Sequence, residues 1–244
     1  MNEKFNFHHT YDKWTKRAKK GFRSRRQAMH YAIGGQFEAM GMLELELLRH
    51  YGLKPEHYLI DVGCGSGRLA APLAGYLTGR YLGTDVVEAL IDYAREQVQR
   101  SDWRFEITSN LRIPERENQA DMVCFFSVLT HLLHEQSYVY LREARRVVKR
   151  GGSIVFSFLE FNIPSHWAVF ESNLRDIDKD TPLNMFIGRD AIDAWATHLD
   201  LEIVAVHDGD KPHIPLSQPV TLEDGTVFEE VGNLGQSVCI LRKP

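Results

Sequence analysis

The chain has 244 residues, of which 25% are charged, 43% hydrophobic and 11% aromatic, and its formal net charge is −4. This ordinary globular composition excludes a mostly disordered, collagen-like or coiled-coil chain. No run of 18 or more apolar residues occurs, and residues 1–10 lack the apolar core of a signal peptide, so we expect no membrane span and a cytoplasmic protein. Three dispersed cysteines without a CxxC pair predict reduced thiols rather than a disulfide framework or a zinc site.

The charge is distributed unevenly. Residues 1–30 carry nine Lys and Arg against two acidic residues, a net charge of +7, so the rest of the chain carries −11. We therefore treat 1–35 as a basic N-terminal arm or helical cap, and 36–244 as the main domain. Such an arm is typical of segments that bind phosphate, nucleic acid or an anionic membrane surface. A solvated helix that docks on the acidic body explains the same pattern.

Short apolar runs alternate with helical periodicity, which is typical of a mostly parallel α/β sheet. The predicted helices are 36–51, about 68–77, 87–99, 135–148 and 189–199. The predicted strands are 58–62, 80–84, 103–108, 122–127, 153–158, 201–206 and 237–241. Gly151 and Gly152 predict a left-handed cap after the fourth helix. Because no helix-length segment separates strands six and seven, we expect these two strands to pair antiparallel.

Two segments interrupt the alternation and are predicted insertions, at about 159–188 and 208–233. The first contains prolines and several aromatic residues. The second contains Asp224-Gly225 between two short β-type runs, which predicts a hairpin.

The most informative segment is 59–70, where an apolar strand leads into Gly63, Gly65 and Gly67 and then into a helix. Alternate glycines allow a sharp turn and a close approach of backbone to ligand. Residues 65–70 formally fit the dinucleotide pattern, so an NAD- or FAD-binding oxidoreductase is one alternative. Asp61, at the end of the strand, would repel a pyrophosphate at the helix N-terminus. It suits a cationic ligand without phosphates.

Several motifs occur in the order found in one family. The run Asp61-Val62-Gly63-Cys64-Gly65-Ser66-Gly67 resembles motif I of the class I S-adenosylmethionine-dependent methyltransferases. Residues 81–85 resemble the family's second-strand motif, and 109–111 its adenine-side loop, although many members carry Asp where Asn110 stands. Residues 120–132 resemble motif IV with its following loop, and 141–152 the helix and glycine turn before strand five. The resemblance covers 36–158 well and the last strands loosely. It implies a Rossmann-like three-layer sandwich with S-adenosylmethionine as cofactor.

The resemblance also implies which residues contact the cofactor. They are Asp61, Gly63, Cys64, Gly65, Gly67, Asp85, Val86, Asn110, Leu111 and Ser127. Asp85 is expected to accept hydrogen bonds from both ribose hydroxyls, since a carboxylate has two acceptor oxygens. Capping of the next helix by Asp85 is the alternative, as is a simple turn role for Asn110.

Methyl transfer from a sulfonium is an in-line displacement, in which the protein mainly aligns the reacting groups. A general base assists when the nucleophile is a hydroxyl or a protonated amine. His131, four residues beyond Ser127 at the ligand-binding edge of the sheet, is the candidate base; packing in the next helix is the alternative. The segment 159–186 is expected to wall the acceptor, with Phe161, His166 and Trp167 as candidate contacts, although its aromatic residues suit the core of a small cap equally well. Aromatic residues of the arm, including Tyr11 and Trp14, are expected to fold over the cofactor.

Absent motifs narrow the acceptor. After strand four the chain reads Ser127-Val128-Leu129-Thr130, without the Asn/Asp-Pro-Pro-aromatic run of base-amino methyltransferases, without Pro-Cys, and without an Asp for Mg²⁺. We therefore expect a metal-independent enzyme that methylates oxygen or nitrogen of a small-molecule, sugar or lipid-like acceptor. An RNA-binding or RNA-modifying protein that uses residues 1–30 is an alternative, and so is a regulatory protein that binds the cofactor without catalysis.

Overall fold

A computed structural model describes residues 7–177 and 184–244. The α-helices are α1 (Phe7–Gly21), α2 (Arg25–Ala32), α3 (Phe37–His50), α4 (Ala70–Leu73), α5 (Glu88–Val98), α6 (His134–Val147), α7 (Pro164–Asp176) and α8 (Arg189–His198). The strands are β1 (Leu59–Val62), β2 (Tyr81–Asp85), β3 (Arg104–Ile107), β4 (Ala120–Phe125), β5 (Val148–Phe158), β6 (Glu202–His207), β7 (Ile214–Pro215), β8 (Val220–Thr221), β9 (Val227–Phe228), β10 (Val231–Gly232) and β11 (Ser237–Arg242).

Seven strands form one sheet in the order β3-β2-β1-β4-β5-β11-β6. The first five are parallel to one another, and β11 runs antiparallel between β5 and β6. The expected α/β class, with a mostly parallel sheet and an antiparallel last strand, is confirmed. The carboxyl ends of the parallel strands therefore meet at one edge of the sheet, where the loops after β1, β2 and β4 can share a ligand.

Helices cover both faces of the sheet, which makes three layers. On one face the core includes Leu43 and Leu47 of α3 and Ile91 of α5. On the other it includes Leu141 of α6 and Ile192 of α8. The central strand β1 is buried along its whole length because it has a strand on each side and helices above and below.

The N-terminal arm is helical and docks on the main domain. Ala18, Ala28 and Met29 are buried against residues of α5 and of the loop before it. Ion pairs join Arg25 to Glu96 and Arg26 to Glu38. This is the arrangement in which a basic helix lies on the acidic body.

Two expected elements differ. The helix near 68–77 is regular only over Ala70–Leu73, although the Leu77 N–H still donates to the Leu73 carbonyl at 2.7 Å. The predicted left-handed cap at Gly151 is wrong. Helix α6 ends at Val147, and Val148 at once adopts an extended conformation that pairs with Ala120, so sheet pairing replaces a helix cap. Gly151 lies within β5 with φ +77° and donates its N–H to the Lys243 carbonyl.

The insertions are more ordered than expected. The first contains α7, a 13-residue helix with Pro164 at its first turn, where a proline has no hydrogen bond to lose. In the second, β8 and β9 pair antiparallel and Gly225 has φ +87°, so the hairpin at Asp224-Gly225 is confirmed. No helix of the described residues is long and apolar enough to cross a bilayer.

Candidate active site

The glycine loop after β1 packs closely against β2 and against the loop after β4. The N–H groups of Gly63 and Cys64 both donate to the Thr84 carbonyl, at 2.7 and 2.9 Å. Gly63 has φ +76°, and a Cβ there would lie 2.3 Å from Cγ2 of Val128, in the loop after β4. Only glycine meets both conditions, so this position joins the two loops closely enough to form one site.

Asp85, at the end of β2, is fixed by backbone donors. Its Oδ2 accepts from the Gly65 N–H at 3.0 Å and its Oδ1 from the Val87 N–H at 2.9 Å. Burial raises the pKa of this carboxyl, and the backbone N–H groups counter that rise. The carboxylate therefore both ties the glycine loop to the start of α5 and faces the space beside it.

A cavity of about 500 Å³ opens at this edge of the sheet, a size typical of small-ligand sites. Of the predicted cofactor residues and the candidate base, those that line it are Asp61, Gly63, Cys64, Gly65, Asp85, Val86, Leu111, Ser127 and His131. The structure thus brings together nine side chains or backbone segments that are separated by up to 70 positions in the chain.

Two predicted cofactor residues lie outside the cavity. Gly67 faces helix α5, where a Cβ would be 3.1 Å from that of Ala94, so its position is set by packing of the loop on the helix. Asn110 is exposed on a turn, while Thr108 and Leu111 on either side of it line the cavity.

The three predicted acceptor contacts also lie outside the cavity. His166 is buried, with Nδ1 accepting from the Glu160 N–H at 3.1 Å and Nε2 donating to the Gly235 carbonyl at 3.2 Å. Phe161 and Trp167 are half exposed and pack on Phe170. These residues therefore pack inside the first insertion or on its outer surface, because α7 presents a different face to the cavity.

The face of α7 that lines the cavity carries Ser172, Asn173 and Asp176. The Asn173 side-chain amide donates to the Asn184 carbonyl at 2.6 Å, and its Oδ1 accepts from the Asn184 N–H at 3.1 Å. Asn184 therefore reaches the cavity wall as well. Sequence reasoning missed this polar face because the insertion was read as irregular rather than as a helix.

A buried ion pair at the cavity was also missed. Glu44 of α3 accepts from Nη2 of Arg68 at 2.5 Å, and Nη1 of Arg68 donates to the Ile33 carbonyl at 3.2 Å. Burial raises the pKa of Glu44, and the Arg68 guanidinium opposes the rise. The available signal was a glutamate on the apolar face of a predicted helix, with an arginine directly after the glycine loop.

The cavity is rich in carboxylates at its β1–β2 side. Asp61 is buried, accepts from the Tyr81 hydroxyl at 2.8 Å, and has its pKa raised by burial to about 7. Asp61, Glu44 and Asp85 line the cavity there together with Arg68. This arrangement suits a ligand that carries positive charge.

The β4 side of the cavity carries the candidate base. His131 ends a 3₁₀ turn, Leu129–His131, and its ring meets that of Tyr11 edge-on with centroids 5.0 Å apart. Burial and the negative charge of Asp85 raise the pKa of Tyr11. Tyr11 of the arm thus lies near both Asp85 and His131, and α1 lines the cavity there through Tyr11 and Trp14.

Ser127 and Gln236 line the same side. Ser127 has φ +57°, and its N–H donates to the Ser157 hydroxyl at 2.8 Å. Its own hydroxyl accepts from Nε2 of Gln236 at 3.0 Å. Gln236, at the start of β11, was not predicted, because nothing in its local sequence marks it.

Residues 60–156 match a family model described as a methyltransferase domain. The chain is 31% identical over 158 residues to ribosomal protein L11 methyltransferase of Syntrophomonas wolfei, a match that covers 60% of this chain and 50% of that protein. The chain thus spans about half the length of that relative. It is 27% identical over 174 residues to ubiquinone biosynthesis O-methyltransferase of Hydrogenovibrio crunogenus, covering 68% of this chain and 71% of that protein.

A solved structure shares the fold. It is a SAM-dependent methyltransferase of Thermotoga maritima, described as a possible histamine N-methyltransferase, with 18% identity and a TM-score of 0.62. The superposition covers 97% of this chain and 99% of that one.

Proposed function

We propose that this chain, which belongs to the class I S-adenosylmethionine-dependent methyltransferases, methylates oxygen or nitrogen of a small-molecule, sugar or lipid-like acceptor without a metal ion. The observation that best supports this proposal is that His131 and the Asp85 carboxylate lie in the same cavity, with His131 on the β4 side of the cavity. With S-adenosylmethionine as the cofactor, the dinucleotide alternative is not retained.

The residues of the β1–β2 side fit this cofactor. The buried carboxylates Asp61 and Glu44 complement its ammonium and sulfonium charges, and the guanidinium of Arg68 complements its carboxylate. Asp85 accepts from the ribose hydroxyls. Val86 and Leu111 supply apolar contacts for the adenine.

The backbone of the glycine loop, including Cys64, passes along the methionine portion in this proposal. The cofactor contacts of Asn110 and Gly67 remain predictions that rest on the motif. Gly67 acts through packing of the loop on α5.

The cofactor supplies an activated methyl group whose bond to sulfur breaks as the acceptor's lone pair attacks. His131 accepts the proton that the acceptor oxygen or nitrogen loses. Tyr11 and Trp14 exclude water from this space, and Ser127 with Gln236 offers hydrogen bonds that orient the acceptor. Among the described residues, no three His, Cys, Asp or Glu side chains are grouped as metal ligands.

The named relatives differ in acceptor, a ribosomal protein in one case and a compound of ubiquinone biosynthesis in another. A small acceptor is favoured here because α1 covers a cavity of about 500 Å³, which leaves little room for a folded macromolecule. Ser172, Asn173 and Asp176 form its polar wall in this proposal. Phe161, His166 and Trp167 have no contact with the cavity, so they keep only a supporting role.

To test this proposal, the protein and labelled S-adenosylmethionine are incubated with a cell extract whose own methyltransferases have been inactivated by heating. We expect label in the small-molecule fraction. His131→Gln should lower that rate by roughly 100-fold or more while S-adenosylhomocysteine binds with unchanged affinity.

The exposed His198, at the end of α8, supplies the matched control, and His198→Gln should keep the wild-type rate. An unchanged rate in His131→Gln would exclude His131 as the base. Label in RNA would support the RNA-modifying alternative, and binding without any transfer would support a regulatory protein.

A further inference from the structure

Helix α7 has an exposed apolar stripe beside the cavity. Leu174 and Ile177, the residue directly after the helix, are 54% and 53% exposed, and Trp167 lies about two turns before Leu174 on the same side. The adjacent face of this helix lines the cavity through Ser172 and Asn173. A contiguous exposed apolar patch marks a contact surface, whereas a single exposed apolar residue does not.

The arm contributes a second exposed apolar group at the same cavity. The rings of Phe22 and Tyr31 have centroids 5.0 Å apart, and Tyr31 in turn stacks on Trp14 at 5.6 Å. Phe22 and Tyr31 are exposed, whereas Trp14 and Tyr31 line the cavity. An aromatic path thus leads from the surface to the site.

Cations surround the outer end of this path. Lys19, Lys20 and Arg23 are exposed next to Phe22, and none of them forms a salt bridge within the described residues. Arg25 differs, since it is paired with Glu96. The surface beside the cavity therefore combines unpaired positive charge on the arm with exposed aromatic and aliphatic side chains.

We propose that this rim docks on the surface of an anionic lipid bilayer. The rim consists of Lys19, Lys20, Phe22, Arg23, Tyr31, Trp167, Leu174 and Ile177. Lysine and arginine near an anionic leaflet are attracted to its head groups, while tyrosine and tryptophan favour the interfacial region. Moving leucine and isoleucine from water to the acyl boundary lowers the free energy, because it removes apolar surface from water. The mouth of the cavity then faces the lipid.

Other occupants fit the rim less well. Single-stranded nucleic acid stacks on aromatic rings, but Leu174 and Ile177 offer no such surface. A symmetric contact with a second copy places the same patch on both partners and brings like cations together.

The test is flotation of the full chain with vesicles of phosphatidylcholine alone and of phosphatidylcholine with an equal amount of phosphatidylglycerol. We expect binding to the anionic vesicles that falls as salt is raised, and little binding to the neutral ones. Lys19→Gln/Lys20→Gln/Arg23→Gln should weaken the binding by about 100-fold, because each of the three cations near an anionic surface contributes about fivefold. Leu174→Ser/Ile177→Ser should weaken it by roughly tenfold.

The control pair is Val227→Ser/Val231→Ser, which alters two similarly exposed apolar residues in the second insertion and should leave vesicle binding unchanged. Affinity for S-adenosylhomocysteine, measured in parallel, shows that each variant is folded and separates this proposal from that of the activity. Equal binding to both vesicle types, or no effect of either rim variant, would overturn the docking. So would a dimer that dissociates in Leu174→Ser/Ile177→Ser, or binding of oligouridylate in place of vesicles.

Discussion

At the scale of single residues, the two carboxylates beneath the cavity are stabilised in different ways. Glu44 has a guanidinium partner, whereas the donors to Asp61 within the described part of the chain are the Tyr81 hydroxyl and the weaker Cys124 thiol. A buried charge without a counter-charge binds its proton more tightly. Asp61 is therefore the group whose charge state a cationic ligand changes most.

The first prediction concerns the pH dependence contributed by Asp61. Its pKa in the folded chain is about 7, above the value of 3.8 for a solvent-exposed Asp side chain, so the folded state holds the proton more strongly. The free energy of unfolding of the ligand-free protein should then fall as pH rises from about 4 through 7. Between pH 5 and 8 the free energy of unfolding should fall by about 2–3 kcal/mol. Asp61→Asn should flatten this dependence, as measured by urea unfolding at the two pH values; parallel curves for both proteins would contradict it.

The second prediction concerns Asp85. Asp85→Ala removes the acceptor for the ribose hydroxyls and leaves the Gly65 and Val87 N–H groups without their partner. The Kd for S-adenosylhomocysteine should rise by about 100-fold, since hydrogen bonds to a charged group are worth about 1.5–3 kcal/mol. Calorimetric titration measures the change. Glu88→Ala, an exposed acid at the start of α5, should bind normally, and an unchanged Kd in Asp85→Ala would reject the ribose role.

At the scale of elements, the site depends on how closely α3 approaches the chain after the glycine loop. A Cβ at Gly41 would lie 2.4 Å from the carbonyl oxygen of Arg68. The helix that carries Glu44 and the residue that pairs with it are thus in backbone contact. This contact holds the ion pair in place beneath the cavity.

The third prediction uses that contact. In an open helix Gly→Ala adds about 0.5–1 kcal/mol of stability, but Gly41→Ala should destabilise by about 1–3 kcal/mol because the obstacle is backbone. Gly21→Ala, at the end of α1 with no atom within 4 Å of the added Cβ, is the matched control and should be neutral or stabilising. Urea unfolding compares the two; a stabilised Gly41→Ala would show that α3 can move away without cost.

At the scale of the whole molecule, the cavity is lined by parts of the chain that are far apart in sequence. Tyr11 belongs to the arm, Asp85 to the β1–β2 side, Asn173 to the first insertion and Gln236 to the bend just before the last strand. A ligand that fills the space contacts all four. Its binding should stabilise the chain as one unit.

The fourth prediction follows from that linkage. At a concentration of S-adenosylhomocysteine 100 times its Kd, the folded state gains about 2.7 kcal/mol, which corresponds to a rise in Tm of about 5–10 °C for a chain of this size. NAD and FAD at the same concentrations should leave the Tm unchanged. Thermal unfolding measures all three, and a shift with a dinucleotide alone would argue against the charge complementarity of Asp61.

The sequence by itself determined the sheet, the glycine loop and the positions of Asp61 and Asp85, because strand periodicity, positive φ and the end of a strand are local properties. Tertiary structure decided the rest of the site. Gln236 reaches Ser127 across 109 positions, and Tyr11 reaches His131 from the arm. His166 failed to reach the cavity because its ring is held by two backbone groups. Which face of a helix meets a cavity depends on partners distant in the chain, and no local pattern records that choice.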